Sequence, residues 1–329
     1  MKSIFAPVVA LLFATSAWGS LFLVGKPLLN TLDPVWFTVV RYALATLLLV
    51  VLVQGFGRSP WRKLRDHLAR LTLLGLAGYA CFSLLVFFGL ARSVPSHGSV
   101  IMATMPFTTL LVGWWLDGRR PARASLFSAG LALLGVATVA NIFSPAQPAG
   151  GAMLLGDLVT LVGTLGWVLY TRGAASLPDH SPLEYTALTA VATLPWLLIA
   201  ATGATLAGFV PAPSARVLTG LLLPLLYIAV VPTVLAALAF NFGVRRLGAP
   251  AGTLYLNMVP VSVLAVHALQ GQAPSATEVG GVALVGLALS INAWLGTRTA
   301  RAKGDAVLGQ GIGTPDQGLQ TAATARCPQ

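Results

Sequence analysis

The chain has 329 residues, of which 56% are hydrophobic and 9% charged, and its mean hydropathy is +0.82. A soluble domain carries roughly 25% charged residues, so this composition excludes an ordinary soluble protein and points to a chain that lives mostly in the bilayer. The net charge of +11 does not indicate nucleic acid, because the basic residues sit in short clusters between apolar runs, as membrane orientation signals do.

A transmembrane helix needs about 20 mostly apolar residues. Runs of that kind predict spans at 4–24, 34–54, 71–91, 97–116 and 124–143, and again at 152–172, 183–203, 219–242, 250–269 and 277–296. The opening MKSIFAPVVALLFATSA has the lysine, apolar stretch and small residues of a cleavable leader. Its apolarity continues through Val24, however, so it reads as the first span. Residues 297–329 are polar and Gly-rich without periodicity, as expected of a disordered tail. Cys81 lies in an apolar run and Cys327 in the tail, a pattern of neither a disulfide framework nor a metal site.

Lys and Arg mark the cytoplasmic side. With the N-terminus inside, that side receives Lys2, Arg58, Arg62, Lys63, Arg65, Arg70, Arg119, Arg120, Arg123, Arg172, Arg245, Arg246 and the basic residues of the tail. The other side receives Lys26, Arg92 and Arg216. Both termini are therefore expected in the cytoplasm of a multi-pass protein, with the bacterial inner membrane as its location.

The chain repeats itself. A shift of 154 residues lays Phe88, Gly89, Arg92, Gly98 and Pro106 over Phe242, Gly243, Arg246, Gly252 and Pro260. After a three-residue gap "GLALLGVATVAN" matches "GVALVGLALSIN"; nearer the start of each half Trp18 pairs with Trp167 and Asp33-Pro34 with Ser181-Pro182. The expected fold is an all-α polytopic membrane protein of ten transmembrane helices in two five-helix repeats, residues 1–149 and 150–296. Five is odd, so the second repeat enters from the opposite side and the two are inverted, a recurrent transporter architecture. Alternating access follows if each half can adopt the shape its twin holds in the other state.

Polar groups at bilayer depth turn to protein or to a water-filled cavity. Tyr79, Ser83 and Phe87 recur at spacing four, hence on one helix face, and their mates are Thr233, Ala237 and Asn241. Ser99, Ala103 and Pro106 face a second stripe, mated to Thr253, Asn257 and Pro260. The candidate lining of a substrate pathway is therefore Tyr79, Ser83, Ser99, Thr233, Asn241, Thr253 and Asn257, together with the indoles of Trp18 and Trp167. The competing role for each is an ordinary one, a hydroxyl bonded to its own helix or an Asn bridging two helices. Pro106 and Pro260 each remove an intrahelical hydrogen bond and are expected to kink their helices. Arg41, inside its span, either snorkels to the interface or faces the cavity to attract a carboxylate. Asp157 is either a proton site raised by burial or a charge near a helix N-terminus.

These segments resemble EamA-type permeases of the drug/metabolite transporter superfamily. The likeness is carried by "SAWGSLFLVGK", "DPVWFTVVRYALA", "GYACFSLLVFFGLARSVPSHGSVIMATMPFTTLL", "GDLVTLVGTLGWVLY" and "FNFGVRRLGAPAGTLYLNMVP", in that order. It implies ten helices, cytoplasmic termini, a central cavity between the halves, no cofactor, and export of amino acids or other small metabolites. The family pattern often has the same residue at Trp18, Arg41, Asp157, Trp167, Pro106, Asn257 and Pro260. It commonly ends the fourth and ninth helices in Gly-Glu, whereas "WWLDGRRP" and "HALQGQAP" put Gly118 and Gly271 in the glutamate places. A nucleotide-sugar or lipid-linked-sugar translocator is the alternative, although phosphates call for several cavity cations and Arg41 stands alone. An intramembrane enzyme would need clustered His, Asp or Glu inside spans, and none is written here. The oligomeric state is not readable from the sequence.

Overall fold

In a computed structural model, the described residues are 4–56, 60–93, 95–118, 120–139, 151–269, 271, 275–277, 279–288 and 290–291. The expected tail, 297–329, lies outside them. Among the described residues the protein is all-helical, without strands, and six helices are long and apolar enough to cross a membrane.

The first two of these, α1 (Phe5–Leu28) and α2 (Pro34–Phe56), are joined by a tight turn. The Asp33 Oδ1 accepts from the Val35 N–H at 2.8 Å, capping α2 just ahead of Pro34. After the short α3 (Trp61–Asp66) comes α4 (Leu68–Arg92), which starts a few residues before the predicted apolar run. The predicted span 97–116 is divided into α5 (Pro95–Ala103) and α6 (Met105–Asp117), and α7 (Arg123–Val139) follows.

The chain then repeats this order. The long helices α8 (Gly151–Gly173) and α9 (Pro182–Leu206) come first. A full capping box starts α9, with Ser181 and Glu184 exchanging side-chain and backbone hydrogen bonds and Pro182 in the first turn. A short α10 (Ala215–Gly220) leads into α11 (Leu222–Leu247). The predicted span 250–269 is again divided, into α12 (Ala249–Leu254), a 3-10 turn at Tyr255–Asn257, and α13 (Met258–Leu269). The apolar helix Val279–Ala288, α14, is the longest described stretch of the last predicted span.

Both divisions have a local cause. Pro106 lies in the first turn of α6 and Pro260 in the first turn of α13, where a missing N–H is tolerated, so the helix restarts just ahead of each proline. Two helix ends likewise need glycine: Gly118 at φ 65° closes α6 and Gly248 at φ 88° closes α11.

Small residues set the closest packing. A Cβ on Gly166 of α8 would stand 2.3 Å from the Ala77 carbonyl oxygen of α4, and one on Gly89 of α4 would stand 2.4 Å from the Gly156 carbonyl. On the other side α1 packs on α11, with the Leu11 side chain filling the space over Gly243. Between these two pairs lie α2 and α9, and one continuous apolar core runs through all six long helices.

Candidate functional site

Both α4 and α11 widen into a π turn at mid-length, Leu76–Cys81 in the first and Ala229–Leu235 in the second. A π turn shifts hydrogen bonding by one residue. The Phe82 N–H reaches Ala77 instead of Gly78, and the Ala236 N–H reaches Val231 instead of Pro232. The carbonyls of Gly78 and Pro232 thereby lose their regular helical donors.

In α11 the consequences are resolved by side chains. Pro232 has no N–H to give to the Ile228 carbonyl, and the Thr233 hydroxyl donates to that carbonyl at 2.7 Å, alongside the one-residue shift of the backbone bonds. The freed Pro232 carbonyl accepts from the Trp18 indole N–H at 2.8 Å. Trp18 meets Trp167 edge to face, with ring centroids 5.2 Å apart, and both indoles lie over Phe240. The Trp167 indole N–H is buried without a hydrogen-bond partner.

These groups line a central cavity between α1, α2, α4, α5, α8 and α11, with about 540 Å³ of space free of atoms counting its openings. Trp18, Arg41, Tyr79, Trp167 and Thr233 are on its wall. So are Tyr42, Phe82, Phe87, Met102 and Pro232, which were not among the expected substrate contacts. Phe87 completes the Tyr79 and Ser83 stripe and could have been found from its spacing. Tyr42 has no such signal, because consecutive helical residues do not share a face.

Arg41 is the charged residue of this wall, with 4% of its surface exposed. Its Nη2 donates to the Ser83 hydroxyl at 2.7 Å, and Tyr42 Oη lies 2.9 Å from the same oxygen. The guanidinium carbon stands 4.4 Å from the Tyr42 ring centroid and 4.8 Å from that of Phe87, while Nε is buried without a partner. Ser83 is thus one bond behind the wall, holding Arg41 in position.

Asn241 belongs to a hydroxyl network next to the cavity. Its Nδ2 donates to Tyr170 Oη at 3.0 Å and to Thr186 Oγ1 at 2.9 Å, and Tyr170 Oη lies 2.7 Å from Tyr79 Oη. This network joins α4, α8, α9 and α11. Tyr170, missed in the sequence, lies three residues beyond Trp167 on the same helix face, a spacing from which it could have been found.

Other expected residues lie elsewhere. Thr253 and Asn257 are fully buried in the α12 region, off the cavity wall, with Thr253 Oγ1 donating to the Ala249 carbonyl and Asn257 Nδ2 to that of Leu254. Ser99 falls in α5, and its side chain lies outside the described residues. Asp157 ties α8 to the start of α5: its Oδ1 accepts from Ser93 Oγ at 2.5 Å and its Oδ2 lies 2.8 Å from His97 Nδ1. Beside it, Lys26 donates to the carbonyls of Leu90 and Ser93 at the end of α4.

Known proteins match this chain over nearly its whole length. It is 28% identical over 298 residues to "Uncharacterized transporter YrdR" of Bacillus subtilis (strain 168), covering 88% of this chain and 91% of that one. It is 25% identical over 271 residues to "Uncharacterized transporter YyaM" of the same organism, covering 81% and 87%. A solved structure described as "Crystal structure of protein" superposes with a TM-score of 0.68 at 18% identity, covering 90% of this chain and all of that one, a likeness of fold. The model of the EamA-like transporter family matches twice, at residues 5–141 and 154–294. A multi-pass helical chain with an apolar central cavity, matched by that family in both halves, belongs to the EamA-like transporter family.

Proposed function

We propose that this protein is a secondary transporter that exports small organic metabolites, the class that includes amino acids, across the bacterial inner membrane. It works by alternating access between two inverted five-helix repeats, residues 1–149 and 150–296, with both termini in the cytoplasm. The ten-span reading takes α5 with α6, and α12 with α13, as one broken span each.

The observation that carries this is an asymmetry between equivalent groups. Gly78 in the first π turn corresponds to Pro232 in the second under the 154-residue shift, and Trp18 in the first helix of one repeat pairs with Trp167 in the first helix of the other, 149 residues on. Trp18 bonds the Pro232 carbonyl, whereas Trp167 leaves its N–H free and Gly78 lacks its regular helical donor. A pair of equivalent latches with one closed is what a two-state carrier with swapped halves requires. In the opposite-facing state Trp167 bonds Gly78 and Trp18 is released. The packing of α1 on α11 and of α8 on α4 obeys the same exchange.

The test is access to the cavity from both sides. With Cys81 and Cys327 replaced by Ser, Met102→Cys in oriented vesicles is exposed to an impermeant maleimide. Labelling from either face, redistributed by Trp18→Phe, is expected. Labelling from one face alone, unmoved by Trp18→Phe or by Trp167→Phe, would overturn the mechanism.

A further inference from the structure

We infer that the substrate class is the small organic acid that carries one carboxylate, no ammonium group, and a flat or branched apolar body. The inference rests on the transport reading and narrows it.

The argument begins with an unbalanced charge. Arg41 is buried in a helix long enough to cross the bilayer, and among the described residues no carboxylate lies within ion-pair distance of it. Ser83 and Tyr42 are neutral, so they orient the guanidinium without neutralising it. A buried cation without a counter-charge is costly, and inside a membrane such a group marks a substrate path. The planar guanidinium matches a carboxylate with paired donors, and the Arg41 Nε is unpartnered.

The rest of the wall sets what else the substrate carries. It contains no Asp or Glu, and its second unpartnered donor is the Trp167 indole N–H. Both unused groups are therefore donors, which suit an anion. An ammonium would meet the Arg41 charge with no carboxylate to receive it. The aromatic rings of Phe82, Phe87, Trp18 and Trp167, with Met102, leave an apolar slot beside the cation. An α-amino acid fits this wall worse than the same acid without its amine.

The experiment compares three ligands of one shape. In detergent, equilibrium binding of labelled 3-phenylpropionate, phenylalanine and the neutral 3-phenylpropionamide is measured on the full chain, followed by counterflow in liposomes. The acid is expected to bind at least about tenfold more tightly than phenylalanine, whose added ammonium would be desolvated beside Arg41 with no carboxylate on the wall to receive it. Arg41→Gln should remove about tenfold or more of the acid's affinity and leave the amide unchanged, and Arg41→Lys should recover part of it. If Arg41→Gln does not fold, the comparison of acid with phenylalanine on the native chain decides. Phenylalanine binding as tightly as the acid, or no binding of the acid, overturns the substrate class and leaves transport standing. Acid that binds through Arg41 but is never exchanged across the liposome overturns the transport reading and leaves the class standing.

Discussion

The indole rings of Trp18 and Trp167 meet edge to face, 5.2 Å apart and at 87°, and of their two N–H groups only that of Trp18 has a hydrogen-bond partner. Trp18→Phe strands the buried Pro232 carbonyl, at a cost of about 1–3 kcal/mol. Trp167→Phe loses no hydrogen bond in this state. Melting in detergent should therefore fall clearly for Trp18→Phe and less for Trp167→Phe. Equal losses would mean that the indole bond does not hold this conformation.

Thr233 is a second point where chemistry replaces backbone geometry. Its hydroxyl serves the Ile228 carbonyl that Pro232 cannot. Thr233→Val keeps the shape and removes this hydroxyl donor, so it should destabilise by about 0.5–1.5 kcal/mol, while Thr233→Ser stays near native. Pro232→Ala restores an N–H and should relieve part of the Thr233→Val loss. The two changes should thus be non-additive, as expected for residues sharing one partner. Additive melting shifts would refute the shared-carbonyl account.

Much of this was legible in the sequence, and the illegible part has a physical cause. Apolar runs located the six long helices, and Pro106 and Pro260 marked where two others break. The π turns were not legible: Pro232 hints at one, but Gly78 gives no sign of the other, because a one-residue shift in hydrogen bonding leaves composition unchanged. In the site, spacing put Tyr79 and Ser83 on one face, and the structure turns that face toward Arg41. The same logic put Thr253 and Asn257 on one face, yet that face packs inside the α12 region rather than against the cavity. Spacing tells which residues share a face, while the neighbour that face meets is decided by tertiary packing.

Gly166 should not tolerate a methyl group. A Cβ there would stand 2.3 Å from the Ala77 carbonyl oxygen, and backbone cannot swing aside as a side chain can. Gly166→Ala should cost about 1–3 kcal/mol through overpacking, despite the better helix propensity of alanine. Gly203→Ala in α9 is the control, because no atom lies within 4 Å of the added carbon. It should be neutral or raise stability by up to about 1 kcal/mol. Melting curves of the two variants measure the contrast.

His180, in the loop before α9, should make stability fall in mild acid. It is 2% exposed, neither ring nitrogen has a partner, and the His67 ring lies 5.3 Å away. Burial, then the Lys63 charge, then His67 lower its pKa below the usual 6.5, outweighing Glu184 and Asp179, which act the other way. The unfolded chain takes up a proton as pH drops through 6.5, whereas the folded chain does so only at lower pH. In that window the unfolded state binds more protons, so stability declines as pH falls. Above it, His180 contributes no slope. The drop in melting temperature between about pH 7.5 and pH 5.5 should be smaller in His180→Phe, if His180 carries that proton linkage.

Carrying a net anion has a consequence for driving force. No other charge lines the cavity beside Arg41, so when the acid leaves with its carboxylate ionised, one negative charge crosses the membrane per cycle. A membrane potential is worth about 2.3 kcal/mol per elementary charge per 100 mV, roughly 50-fold in the equilibrium ratio. A cell interior that is negative therefore drives the acid outward without a coupled proton. In liposomes with an imposed potassium diffusion potential, at about pH 8 where a carboxylic acid is ionised, 3-phenylpropionate should accumulate on the positive side. Its initial rate should rise with potential, compared against protein-free liposomes. Rates that follow an imposed pH gradient and ignore the potential would show instead that a proton accompanies the acid, and Asp157→Asn, at the tie with His97 and Ser93, would then be the variant expected to abolish that dependence.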